Sequence, residues 1–470
     1  MIMKKIIYKY SLVLVALIFG CNTLDQEPQS QISTNAAFAN PNSAQGAVNG
    51  MYNILQGVYD WRVQVISDLA SDVSQQIDTW DALINIDEYS ATPDNSEVED
   101  LYATLYRLID ISNAIIANVD NVPDLDDTKK SDFKGQAYGL RGIAYFELAR
   151  FWGGIPGVYG TDGVVIRTTP SVGIDESSYA SRATLTATYD QSRQDMETAL
   201  GLLPETRTGV DLRGRVVKAT MRAMLSRLHL YLKDYGLAAQ YATDVINDTK
   251  YSLVTPYSDI FNKKNTNESI FEVQYNLTDR SGMRNWYYPA AMGARGGAAL
   301  HQAFYTDISA DPLDVRYKMT ASRTTTSGKT VYYPTKWPTP NDDNNTQIIR
   351  IAEMYLIRAE ARILGTTVDI PGAQSDIDAI RGRAGLGATT AATVPDLMDE
   401  IMDQRKKEFF AEGHRFFDLV RTGRAVSTLS NLTRSEGSSL YSITADRQVF
   451  AFPNKDRQTN PNLKQNEAYD

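Results

Sequence analysis

The chain has 470 residues, 43% apolar, 22% charged and 10% aromatic, a composition that supports a large globular core. Acidic residues (57) outnumber basic ones (47), the formal net charge is −10, and no dense Lys/Arg run is present, so a nucleic-acid partner is not expected. A single cysteine excludes an internal disulfide, and three scattered histidines (His229, His301 and His414) are too few for a zinc site.

Lys4, Lys5 and Lys9 precede an apolar run from Leu12 to Phe19, followed by Gly20 and Cys21. That run is shorter than the roughly 20 residues a spanning helix needs and suits a secretory signal. The sequence therefore predicts a signal peptide over residues 1–20. Cys21 follows Ile18-Phe19-Gly20 as in a bacterial lipobox, which predicts a lipidated thiol; stable anchoring takes more than one acyl chain. Residues 21–40 are polar and read as a flexible tether, leaving 41–470 as one domain.

Helical spacing begins near Asn42, where Ala44, Ala47, Met51 and Leu55 share a face. A second stripe (Ala137, Leu140, Ala144, Leu148 and Phe151) predicts a helix from Gly135 to Trp152, stopped by Gly153-Gly154-Ile155-Pro156. Residues 216–232 and the segment carrying Ala238, Ala242 and Val245 flank the tight link Lys233-Asp234-Tyr235-Gly236. Small Ser226 and Ala238 there match a tetratricopeptide unit, whose helices approach closely. Residues 251–349 read as a loop-rich insertion with a short strand near Ser269–Tyr275, and 321–346 as polar and turn-rich. Further helices are expected over 350–364 and, unbroken, over 402–421, with the last twenty residues extended.

No nucleophile elbow, Walker loop or dinucleotide fingerprint is present, and Gly293-Ala294-Arg295-Gly296-Gly297 reads as a flexible loop. Asn341 to Asn345 lacks the glycine and terminal glutamate of a calcium loop and reads as a solvated turn. A carboxylate pair for glycoside hydrolysis cannot be picked from sequence, because its separation is a three-dimensional property. No catalytic residues, metal or cofactor are expected. The aromatics remain: five Trp and 27 Tyr. Aromatic faces stack on the C–H faces of sugars at low entropic cost. Trp152 and Trp337 read as core, Tyr59 and Trp61 as helix packing, and His229 as packed or surface. Trp80 lies in the polar segment Gln76-Ile77-Asp78-Thr79-Trp80-Asp81, and Trp286, Tyr287 and Tyr288 follow Arg280-Ser281-Gly282-Met283-Arg284-Asn285. Three consecutive rings are not expected to share one core, so Trp80, Trp286, Tyr287 and Tyr288 are the candidate stacking residues.

Motifs spread over the whole chain carry a family resemblance. Leu24-Asp25-Gln26-Glu27-Pro28 follows Cys21; Leu140-Arg141-Gly142-Ile143-Ala144-Tyr145-Phe146-Glu147-Leu148-Ala149-Arg150-Phe151-Trp152-Gly153-Gly154 forms the central helix. Gly214-Arg215-Val216-Val217-Lys218, Ser269-Ile270-Phe271-Glu272-Val273, Arg350-Ile351-Ala352-Glu353, Arg381-Gly382-Arg383-Ala384-Gly385-Leu386, Glu412-Gly413-His414-Arg415-Phe416-Phe417-Asp418-Leu419 and Asn460-Pro461-Asn462-Leu463 follow in order. With these the sequence resembles the SusD/RagB family of outer-membrane lipoproteins. The resemblance implies a mainly α fold, with four tetratricopeptide-like helical pairs supporting a loop-rich half that holds a few short strands. It also implies a cell-surface protein, held in the membrane by lipid alone, that binds oligo- or polysaccharide without cleaving it. Delivery would be to a SusC-like TonB-dependent transporter; peptide capture by a similar importer is the alternative. Trp80 falls in the region where relatives place a sugar-stacking aromatic. The motifs themselves read as scaffold, with Arg150–Glu147 and Arg415–Asp418 as structural ion pairs.

Overall fold

The computed structural model describes residues 34–171, 173–174, 176–325, 327–433 and 440–470; the signal segment, Cys21 and residues 22–33 lie outside them. Among the described residues, a short helix at Thr34–Ala37 falls inside the stretch read as a tether. Helix α1 (Pro41–Tyr59) starts where Asn40 accepts the backbone N–H groups of Asn42 and Ser43, both at 3.0 Å, and Pro41 pre-sets the first turn. It buries Ala44, Val48, Met51 and Leu55, the face that the periodicity marks.

Short helices α2 (Arg62–Leu69) and α3 (Asp81–Asp87) flank strand β1 (Ser74–Gln76). The long helices α4 (Ser96–Asn118), α5 (Asp127–Leu148) and α6 (Leu185–Leu202) follow, capped by Asn95, Asp126 and Thr184. Helix α5 starts eight residues before Gly135 and runs into a wide π-helical turn at Ala149–Gly153. Then come α7 (Lys218–Tyr231) and α8 (Tyr235–Ile246), where the Ser226 hydroxyl donates to the Ala238 carbonyl at 2.9 Å. That bond requires the close approach small residues permit.

The loop-rich half supplies β2 (Ser269–Val273), α9 (Met283–Tyr287), β3 (Ala298–Leu300), α10 (Gln302–Ile308), β4 (Thr320–Thr324), β5 (Thr330–Pro334) and β6 (Thr346–Arg350). Strands β1-β3-β5-β4 form an antiparallel sheet in that order, and β2 pairs with β6. The stretch read as turn-rich thus contains the β4–β5 hairpin. The chain closes with α11 (Ile351–Leu364), α12 (Ile370–Arg383), α13 (Val394–Glu408) and α14 (Arg415–Arg421). The pairs α1/α4, α5/α6, α7/α8 and α11/α12 stack side by side into the scaffold, and the molecule is mainly helical.

Other expectations change as well. The helix expected over 402–421 is broken, because Ala411 (φ 61°) and Gly413 (φ 79°) take left-handed conformations that end one helix and re-aim the next. The last twenty residues include a helix at Asn454–Thr459, and Asn466 bonds the Trp152 and Phe450 carbonyls at 2.9 and 2.8 Å. Asn344 and Asn345 are buried, accepting from the backbones of Thr339 and Tyr275, both at 2.9 Å; this is a folded turn and not a solvated one.

The motifs meet in buried ion networks that join the two halves. Arg350, at the junction of β6 and α11, reaches Glu268 (3.0 Å), Glu408 (2.7 Å) and Glu412 (2.8 Å), and Lys336 adds a bond to Glu412 (2.6 Å). Arg227 grips Glu353, and Arg405 and Arg421 share Asp418, each at 2.8 Å. Arg150 pairs with Glu147 as expected, and Tyr59 donates to the same carboxylate at 2.7 Å. Arg415, however, pairs with Asp72 at 2.7 Å and not with Asp418, which Arg405 and Arg421 already saturate.

Candidate functional site

Trp80 occupies the N-cap position of α3, in extended conformation, and the residue is 37% exposed. The segment before it leaves β1 and passes along β3, so the sheet sets where this turn stands. Asp78 fixes the turn: one carboxylate oxygen accepts the Trp80 backbone N–H at 3.1 Å, and the other takes the Arg295 guanidinium. Arg295 in turn lies over the Trp80 ring, 4.3 Å from its centroid, and 5.1 Å from that of Trp286. Trp286 meets Trp80 edge-on at 5.8 Å and packs against Trp61 at 4.6 Å. Burial raises the Glu97 carboxyl, partly offset by the Arg62 guanidinium, which donates to it at 3.1 Å.

The outcome is a partly exposed tryptophan whose ring meets buried Trp286, itself packed on Trp61, with the Arg295 guanidinium over one face and its partner Asp78 at the rim. Such a rim offers both acceptor and donor groups beside an apolar face, the combination a sugar edge presents in complement. The floor depends on close approach at Gly282, where a Cβ would come within 2.5 Å of Trp61 Cδ1.

The 286–288 rings overturn the expectation that three consecutive aromatics cannot all be buried. Successive residues of a helix point about 100° apart, so the rings at the end of α9 reach three different neighbours. Trp286 goes to Trp61 and Trp80. Tyr287 is fully buried, stacks on Trp337 at 5.6 Å and donates to Asp68 at 3.2 Å. Tyr288 is buried against Tyr333 at 5.5 Å and under Arg284. Tyr287 is therefore a structural residue, Tyr288 part of the packing behind the site, and Trp286 the support for Trp80.

The Gly293–Gly297 stretch is held in place, because Arg295 and Gly296 donate to the Asn285 carbonyl at 2.8 and 2.9 Å. Arg295 and Asp78 escaped the sequence reading because 217 positions separate them; the only local signal was a charged residue inside a glycine-rich run. Trp337 and Trp152 are core, and the Trp152 indole donates to the Ala451 carbonyl at 2.9 Å. His229 is buried and stacks on Tyr241 at 5.8 Å. Among the described residues no His/Cys/Asp/Glu cluster with metal-binding geometry occurs, and no helix is long and apolar enough to cross a membrane. A cavity of about 760 Å³ between Asp127–Asp132 and Leu202–Asp211 contains no aromatic ring and offers no stacking surface.

Residues 301–469 match the family described as "SusD family", and residues 23–230 the one described as "Starch-binding associating with outer membrane". The chain is 24% identical over 522 residues to SusD-like protein P38 of Formosa agariphila, covering 97% of each. A SusD superfamily protein of Bacteroides thetaiotaomicron superposes with a TM-score of 0.78 at 26% identity, covering 91% of this chain and 99% of that one. Surface glycan-binding protein A of the same organism, solved in complex with laminarihexaose, shares the fold at a TM-score of 0.74 and 21% identity, over 91% of this chain and 99% of that one. Motif order, paired-helix scaffold and these likenesses agree: the chain belongs to the SusD/RagB family.

Proposed function

We propose that the chain captures oligo- or polysaccharide at the outer surface of the outer membrane and passes it uncleaved to a SusC-like TonB-dependent transporter. The observation that carries this reading is the exposed Trp80 ring, braced by Trp286 and rimmed by the Asp78–Arg295 pair. The laminarihexaose complex of a protein with the same fold, and the starch-binding description of the matched family, point to the same ligand class. Charge at the rim is compensated, which favours neutral sugars over polyuronates.

Binding without hydrolysis is supported by the state of the Asp78 carboxylate at this rim. Asp78 accepts from Gln76, Trp80 and Arg295, so neither oxygen is free to shuttle a proton or attack a sugar carbon. Anchoring is assigned to Cys21 through an acylated thiol, with the membrane reached by lipid alone. Affinity electrophoresis of the soluble chain starting after Cys21, in gels containing laminarin or amylopectin, tests capture. Retardation by neither polymer, nor by a wider panel of neutral glycans, refutes it. Cys21→Ala should release the protein from membranes, and continued membrane retention would remove the anchor from the proposal.

A further inference from the structure

Successive residues of a strand point to opposite faces of its sheet. On β5, Tyr333 points to the Trp80 side, where it meets Tyr288, so Tyr332 points to the other side. There its ring lies flat against Tyr305 of α10, with centroids 3.5 Å apart and planes 11° from parallel. Both rings are half-buried, and neither phenol hydroxyl is bonded to another described residue. By contrast, core tyrosines such as Tyr59, Tyr189 and Tyr257 bury their hydroxyls on Glu147, the Gly154 carbonyl and the Glu408 carbonyl.

The register places hydroxyls beside this pair. Ser322 stands opposite Tyr332 and Thr324 opposite Thr330, so all four share the face, and Ser322, Thr324 and Thr330 are exposed. Exposed Gln302 lies three residues before Tyr305, on the same side of α10. None of these six side chains is charged. A rigid aromatic slab bordered by uncharged hydroxyl and amide groups suits a neutral polyol: ring C–H groups on the outer tyrosine face, sugar hydroxyls on the Ser/Thr row.

We propose that this face is a second carbohydrate-stacking platform, which takes a neutral polysaccharide on the side of the sheet opposite Trp80. The proposal rests on the glycan-binding reading of the chain but not on Trp80 itself. A short oligosaccharide lying on one face does not reach the other, whereas a polymer engages both and gains avidity.

The test compares Trp80→Ala, the double variant Tyr305→Ala/Tyr332→Ala, and Ser322→Glu, which crowds and charges the platform while keeping both rings. Polymer binding is read by affinity electrophoresis in laminarin or amylopectin, and short-chain binding by calorimetry with laminarihexaose or maltohexaose. Thermal melts confirm folding. Expected for both platform variants is about tenfold weaker retention by the polymer, with hexasaccharide affinity within about twofold of the parent. Unchanged polymer retention in Ser322→Glu and in a folded double variant overturns the platform and leaves the Trp80 reading standing. Full retention by Trp80→Ala, with loss in the platform variants, overturns Trp80 and leaves the platform. A parent chain retained by no neutral polymer overturns both.

Discussion

Replacing Trp80 by alanine removes a ring whose contacts to the fold are few and whose free face points to solvent. Its losses inside the molecule are the edge contact to Trp286, about 0.5–1.5 kcal/mol, and the Arg295 cation–π contact, about 0.5–1 kcal/mol at such an exposed site. Folding stability should therefore fall by roughly 1–2.5 kcal/mol, a shift of a few degrees in a thermal melt. Binding should fall much further in proportion. Stacking of a flat ligand on an aromatic side chain is worth about 1–3 kcal/mol, which weakens Kd by roughly 5- to 150-fold. Calorimetry with laminarihexaose or maltohexaose, beside a thermal melt, measures both terms on one sample. Trp286→Ala is the control, since that ring is only 5% exposed and its loss should cost about 3–5 kcal/mol of stability. If Trp80→Ala binds as tightly as the parent while melting normally, the ring is not in the site and the assignment fails.

Gly282→Ala should push Trp61 out of place, because the new Cβ would sit 2.5 Å from its ring; we expect a shift in tryptophan fluorescence and weaker glycan binding, read by emission spectra and affinity gels. Arg350→Met should destabilise by about 3–5 kcal/mol in urea unfolding, since Glu268, Glu408 and Glu412 would lose a buried partner. Lys336→Met should be near neutral or stabilising at pH 7. Burial pulls the Lys336 ammonium down to about 8, against the Glu412 ion pair that favours its charge. Between about pH 8 and the ordinary lysine value near 10.4, the unfolded chain holds a proton that the folded one has released. Stability of the parent should gain from this group as pH rises through that window, and the variant should lack the gain; identical pH profiles of urea midpoints would contradict the burial argument.

Helix positions were legible because they are written locally. Asn40 and Pro41 open α1, and the apolar stripe of α5 repeats at helical spacing, so no distant residue is needed to read either. The tetratricopeptide-like approach at Ser226 and Ala238 was legible for the same reason, since two small residues twelve positions apart sit across one tight turn. Trp80 stood out because a large apolar ring in a polar segment has no core-facing pattern around it. What local pattern could not decide is which other rings face water. Trp286, Tyr287 and Tyr288 look alike in sequence, but a helical turn fans them towards Trp61, Trp337 and Tyr333, residues that only the folded chain brings near. The rim of the site, Asp78 with Arg295, and the Tyr305–Tyr332 pair depend in the same way on the sheet bringing β1, β3 and β5 side by side. Periodicity determines which face of an element is buried; the packing of elements far apart in the chain determines what that face, and the one left outside, will meet.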